Sequence, residues 1–383
     1  MRHQNSVLHE VLKHLPRDEF ARLVEKHGSD NRVRSLSTLS QLVALIYGQL
    51  SGAVSLREIE GGLKSHEDKL YHLGVTAARR STLSDANALR PAAAFADLFA
   101  MMVNQAQAGL RRKTRECIRL IDSSGLKLSS LSQDWARFSK GVFGAKMHIV
   151  YDPSADLPVY FAVSAANVND ITPAKAMPLE AGATYVYDLG YYDYGWWAKL
   201  DAAGCRIVTR LKRNTPLHDV VARRVPKRES DILSDRTGLL PEKMTYRNKN
   251  PLQKRLREIA VRTETGKILR IVTNDLKSSA RKIADLYKSR WQIELFFRWV
   301  KQVLRIKHFL GTSENAVRTQ IAVALITFLL LRMAQACQTA IKTPLAFAQL
   351  IRANLMHRRS ISDLLRPPKS STPPSMQFEL VLQ

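Results

Sequence analysis

Residues 115–128 read RECIRLIDSSGLKL, an apolar, β-branched run with a carboxylate, Asp122, at its centre. Ile118, Leu120 and Ile121 precede the acid, so the segment has the composition of a buried strand. A single Asp there is costly unless it is paired, hydrogen-bonded or bound to metal. Two more strands follow, AKMHIVYDPS (145–154) and LPVYFAVSAAN (157–167), joined at Asp152-Pro153. The pattern then alternates. NDITPAKAMPLEAG (169–182) reads as a short helix, ATYVYDLGY (183–191) as a fourth strand running to Asp188 and Gly190, YGWWAKLDAAG (194–204) as a helix, and CRIVTRLKRN (205–214) as a fifth strand. Three strands in succession, then helices alternating with strands, predict an α/β (α+β) mixed sheet flanked by helices.

Outward from this centre the texture changes on both sides. Residues 1–110 read as an all-helical domain. LSTLSQLVALIYGQLSG ends at Gly52, and Ser55 with Glu58 forms a capping box that opens LREIEGGL. After Gly74 the chain restarts in RRSTLSDANALRP, entered through Arg79 and Arg80. Short helix, glycine turn and basic-headed helix fit a DNA-reading helix-turn-helix and fit an ordinary helical bundle equally. On the other side, between Lys212 and Arg257, thirteen Lys/Arg face five Asp/Glu, and four prolines break the segment up. This is an insertion at about 212–258, either a small β-rich module lying along a polyanion or a solvated basic loop. LREIAVRTETGKILRIVTND (256–275) reads as two strands around Thr265-Gly266, and a long helix is expected from about Ser279 to His308. The central domain thus spans 111–335. Residues 336–383 hold a C-terminal helix and a Pro/Ser-rich tail after Arg366.

The chain has 383 residues, 59 Lys+Arg against 34 Asp+Glu, and a net charge of +25. At 45% hydrophobic, with 17 Gly and 15 Pro, it is neither disordered nor low-complexity. Three dispersed cysteines exclude a disulfide scaffold and a thiolate zinc site and fit a reducing cytoplasm. The polar, charged start MRHQNSVLHEVLKHL is unlike a secretory signal. The longest apolar run, Ile321 to Leu331, is shorter than the roughly 20 residues that span a bilayer, so no membrane role is expected. So large a positive excess on an enzyme-sized protein points to nucleic acid.

The predicted long helix contains LYKSRWQIELFFRWVKQVL (286–304). At helical pitch, Tyr287, Arg290, Glu294 and Lys301 share a stripe roughly 60° wide, flanked by Trp291 and Arg298, beside an apolar arc. A solvated helix with an Arg290–Glu294 ion pair would look similar, but such pairs contribute little and leave the aromatics unexplained. Asp188 ends its strand just before a glycine, where α/β folds place active sites. Either Asp alone could cap a turn. Together, two strand carboxylates and one on a helix suit magnesium, a hard ion that wants oxygen ligands. Arg290, Lys301 and Tyr287 would hold a phosphodiester backbone, and Trp291 would stack on a base. Lys127 and Lys146 lie near the first two strands, where they could touch DNA or solvent. His148 is expected to be packed or hydrogen-bonded, and Trp196 and Trp197 to cover the sheet.

The spacing Y-x-x-R-x-x-x-E-x-x-x-x-x-x-K, here Tyr287, Arg290, Glu294 and Lys301, resembles the signature of bacterial insertion-sequence transposases of the IS-four type. IDSSGLKL (Asp122) and YDLGYYDY (Asp188) look like that family's other two acidic motifs, except that Asp193 stands at an aromatic position, with Tyr192 and Tyr194 on either side. The resemblance covers about 114–335. It implies a ribonuclease-H-like core, a β-rich insertion before the glutamate, and a catalytic triad of Asp122, Asp188 and Glu294 holding two Mg²⁺, with Mn²⁺ as a substitute. It implies a DNA transposase that cleaves and joins double-stranded DNA at element ends and targets, as a homodimer when two ends are paired. The expected DNA contacts are Tyr287, Arg290, Trp291, Arg298, Lys301, Arg79 and Arg80. The rival readings are a nuclease on the same fold without joining activity, and a non-enzymatic DNA-binding descendant.

Overall fold

A computed structural model describes residues 5–110, 116–226, 229–243, 249–306 and 308–366. The expected tail after Arg366 lies outside the described residues.

Ten strands form one sheet: β1 (Ile118–Lys127), β2 (Arg137–Ser139), β3 (Val142–Asp152), β4 (Leu157–Ala165), β5 (Thr184–Val186), β6 (Arg206–Arg210), β7 (His218–Ala222), β8 (Ile232–Leu239), β9 (Leu256–Arg262) and β10 (Ile268–Thr273). β4, β3 and β1 are an antiparallel meander. β5 then joins β1 in parallel, and β6 joins β5 in parallel. The order β4-β3-β1-β5-β6 is the ribonuclease-H-like core. From β6 the same sheet continues antiparallel through β10 and β9 and then through β8 and β7 of the insertion, with β9 and β10 turning at Gly266, whose positive φ of 79° suits glycine. The edge hairpin of β2 was not foreseen; its three residues are all exposed and carry no apolar pattern.

Alternation along the central strands builds two cores. Leu120, Val186 and Val208 face one side, and Ile121, Tyr185, Tyr187 and Ile207 face the other. The second side is covered by α9 (Ile171–Ala176) and by α10 (Tyr194–Ala202), whose Trp196 and Trp197 are buried against it, as the sequence leads one to expect. The first side is covered by α11 (Ala280–Ser289), α12 (Trp291–Val303) and α13 (Glu314–Ala336). α13 exceeds the apolar run seen in the sequence and is long enough to cross a membrane, but 83% of its apolar window is buried inside the protein. α8 (Gln133–Ala136) is a single turn in the β2 connection.

Among the described residues seven α-helices precede the sheet: α1 (Val7–Leu12), α2 (Arg17–Lys26), α3 (Thr38–Ser51), α4 (Leu56–Lys64), α5 (Glu67–Leu70), α6 (Arg80–Leu89) and α7 (Ala92–Leu110). Serines set several starts: Ser37 Oγ accepts from the Ser40 N–H, Ser55 Oγ from the Glu58 N–H, and Glu58 reaches back to the Val54 N–H. α3 ends at Gly52 in the left-handed conformation. α7 packs on α13 and β4, so the helical layer shares one apolar core with the near face of the sheet. α14 (Pro344–Asn354) returns to this layer, where Val7 N–H and Leu8 N–H donate to His357 and Leu355 carbonyls; α15 (Ile361–Leu364) follows.

Candidate active site

Parallel pairing sets Leu120 of β1 against Val186 of β5. Two residues further along each chain, Asp122 and Asp188 therefore leave neighbouring strands at one level. Alternation puts Asp122 on the Leu120 face, under α11 and α12. Neighbouring strands lie about 4.8 Å apart, so register alone brings the two acids close. Asp188 caps the single 3₁₀ turn after β5, its Oδ1 accepting from the Gly190 N–H at 2.8 Å.

Glu294 descends from above. The expected single helix is two, because the ladder tightens at Arg290: its N–H reaches the Tyr287 carbonyl, and the Ile293 N–H reaches the Arg290 carbonyl. The second helix ends at Val303, short of His308. At the junction Arg290 points down into the site. Its Nη1 donates to Asp122 Oδ2 at 3.1 Å and its Nη2 to Glu294 Oε1 at 2.5 Å, so one guanidinium joins a strand acid to the helix acid.

Electrostatics report the same convergence. The Asp122 carboxyl is pushed up from 3.8 to about 6, first by burial and then by the charges of Asp188 and Glu294, against the Ser123 N–H and Arg290. Among the described residues no three acidic, imidazole or thiol groups stand close enough to enclose an ion; Arg290 bonds both Asp122 and Glu294 and lies between them.

The rest of the signature borders this group. Tyr287 is buried, with its phenol raised by burial and set among Arg210, Arg290 and Asp188. Lys301 Nζ donates to the Gly125 carbonyl of β1 at 2.9 Å. Trp291 is half exposed, and the Arg298 guanidinium lies 6.0 Å from its ring. A groove of ≈ 1130 Å³ runs from Tyr287, Arg290 and Trp291 to the β9–β10 turn at Thr263 and Thr265.

The remaining candidates fall elsewhere. Arg79 and Arg80 are exposed at the start of α6, in the helical layer rather than at the carboxylates. Lys127 is exposed. Lys146 pairs with Asp170 at 3.0 Å. His148 is buried, bonded through Nε2 to Ser164 Oγ, and burial lowers its imidazole to about 4. Asp193, the departure from the family motif, caps α10 by accepting from the Trp196 N–H at 2.7 Å. Tyr192 and Tyr194 meet through their hydroxyls beside it. Sequence reasoning missed Arg210 and Asp170, which sit at a strand end and a helix start where charged residues are ordinary.

A family described as the transposase DDE domain matches residues 113–330, more than half of the sequence. The chain belongs to that family. Residues 3–76 match a separate domain of unknown function. A transposase of Sinorhizobium fredii, y4zB, is 41% identical over 289 residues, 75% of this chain and 80% of that one. A transposase for insertion sequence element IS5377 from Geobacillus stearothermophilus is 31% identical, over 61% of this chain and 62% of that one. One for element IS4SA from Synechocystis sp. is 33% identical over 24% of this chain and 28% of that one. The protein is a DNA transposase of the IS-four type.

Proposed function

We propose that the transposase excises and inserts an element by divalent-metal-dependent phosphodiester hydrolysis followed by strand transfer, in a cut-and-paste reaction on double-stranded DNA. The observation that supports this reading is that one guanidinium, Arg290, bonds both Asp122 and Glu294, while Asp188 lies near enough for its charge to raise the Asp122 carboxyl. All three acids offer hard oxygen donors, and burial with the neighbouring acids raises the Asp122 carboxyl to about 6, a cost to its charged form that a cation would offset. Both features fit a divalent cation. Asp122, Asp188 and Glu294 would hold two Mg²⁺, or Mn²⁺ in their place. Bound there, such ions polarise a phosphodiester oxygen and make water or a 3′-hydroxyl a competent nucleophile.

The chain's own residues then position the DNA. Arg290, which here bonds Asp122 and Glu294, would present its planar fork to a backbone phosphate. Lys301 adds a point charge from the same helix, and Tyr287 lines the approach. Trp291, with Arg298 over it, supplies a stacking face at the mouth of the groove. Water breaks the P–O bond and leaves a 3′-hydroxyl; that hydroxyl attacks a second phosphodiester and expels its 3′ oxygen. No side chain forms a covalent bond to DNA. Arg79 and Arg80 of α6 would contact the element end, and two subunits would pair two ends in the bacterial cytoplasm.

Glu294→Gln keeps the size of the side chain and removes its charge. It is expected to abolish cleavage of element-end DNA while preserving end binding in a gel-shift assay. Full cleavage by this variant overturns the metal reading. A strand-transfer assay with a pre-cleaved end is expected to yield joined product; cleavage without joining would make the protein a nuclease.

A further inference from the structure

Asp170 occupies the N-cap of α9, where aspartate ordinarily bonds the free N–H groups of its own helix. Its carboxylate makes no such bond. Oδ1 accepts instead from Ser123 Oγ on β1 at 2.9 Å and from Lys146 Nζ on β3 at 3.0 Å. Ser123 directly follows Asp122, and its backbone N–H holds Asp122 Oδ1 at 2.8 Å. On its other side Asp170 flanks the same glycine as the second acid: a Cβ at Gly190 would stand 3.2 Å from Asp170 Oδ2 and 3.0 Å from Asp188 Oδ1. Gly190 is the residue whose N–H fixes Asp188. Asp170 is thus linked through Ser123 to Asp122, and it packs against Gly190, the residue that holds Asp188.

The neighbours are arranged to hold this carboxylate still. Lys146 Nζ is also bound by the Val168 carbonyl at 2.9 Å. The buried Tyr191 hydroxyl is kept protonated by its burial and by the charges of Asp122, Asp170 and Asp188 together. His148 Nδ1 is buried without a hydrogen bond and lies 3.9 Å from Asp170 Oδ1. A plain Lys146–Asp170 ion pair would need neither the bond to Ser123 nor the abandoned helix cap.

We propose that Asp170 is a positioning residue that sets the separation of Asp122 and Asp188 before a cation arrives. This rests on the reading of Asp122, Asp188 and Glu294 as metal ligands. Partners that orient metal ligands without touching the ion typically change metal affinity when lost.

The test is Mn²⁺ binding by the full chain in complex with element-end DNA, followed by electron paramagnetic resonance. Asp170→Ala is expected to weaken Mn²⁺ binding by about 10-fold or more. Asp170→Asn, whose Oδ1 still accepts from Ser123 and Lys146, is expected to weaken it clearly less. DNA-end binding without metal and the melting temperature stay near wild type in both. Wild-type Mn²⁺ affinity in Asp170→Ala overturns the proposal, as does equal loss in the two variants. If Asp170→Ala does not fold, Ser123→Ala cuts the same link from the other end, and wild-type affinity there is equally fatal. Asp122→Asn in the same assay separates the two readings. If it keeps Mn²⁺ binding, the ligand assignment itself fails; if it loses binding while the Asp170 variants are unaffected, only the positioning role falls.

Discussion

Burial of the Asp122 carboxylate beside two other acids makes its ionised form costly to the metal-free fold. The group titrates near 6 in the folded chain against an ordinary 3.8. A raised acid costs the fold nothing while it is protonated in both the folded and the unfolded chain. Its cost is absent below about pH 4, grows between the two values and is complete above about pH 6. Asp122→Asn is therefore expected to stabilise the protein at pH 7.5 in EDTA, by at most about 3 kcal/mol and by less once the lost Arg290 bond is counted. The gain should vanish below about pH 4 in denaturant unfolding; no gain at pH 7.5 would contradict the account. Arg290→Ala removes the guanidinium that joins Asp122 to Glu294. It is expected to slow strand nicking and to lower the salt slope of DNA binding by about one charge. The three acids and Arg290 stand out in the sequence as candidates because their types and spacing are unusual in apolar surroundings, and the structure joins Arg290 to Asp122 and Glu294. Asp170 was not, because an aspartate before a helix reads as a cap, and only coordinates show that it does not cap.

At the scale of elements, strand composition and helix starts followed from the sequence, and the exceptions have local causes. The break at Arg290 leaves no mark in hydrophobic period, since the apolar residues keep their spacing across it. β9 and β10, which follow the basic insertion, were legible from β-branched runs that flank a glycine turn, whereas β7 and β8 inside the insertion were not. β7 is exposed throughout, so its pairing with β8, not its composition, makes it a strand. The strand that carries Asp122 is anchored by a buried ion pair, Arg119 Nη1 to Asp152 Oδ2 at 2.8 Å, with side chains 5% and 0% exposed. Asp152 also accepts from the N–H groups of Ser154 and Ala155 in the β3–β4 turn. Asp152→Ala leaves the buried Arg119 guanidinium with Glu180, itself half exposed, as its remaining carboxylate partner among the described residues. It is expected to cost about 3–5 kcal/mol of unfolding free energy, read from the denaturation midpoint. A loss under about 1 kcal/mol would show that the pair does not hold β1 in place.

For the molecule as a whole, the excess of 25 positive charges pointed to a polyanion before any element was placed, and the transposase family gives that partner as DNA. The shared core was not legible. Residues 1–110 read as a separate helical block, yet their apolar faces close over α13 and β4 on the side of the sheet that bears Asp122. Long-range packing of this kind leaves no periodic trace in either segment. The most direct test is a crystal structure of the protein with element-end DNA and Mn²⁺, read by anomalous scattering. The account predicts manganese peaks ligated by Asp122, Asp188 and Glu294, with Arg290 turned from the acids to a DNA phosphate. Manganese bound elsewhere, with Arg290 still joining Asp122 to Glu294, would contradict it.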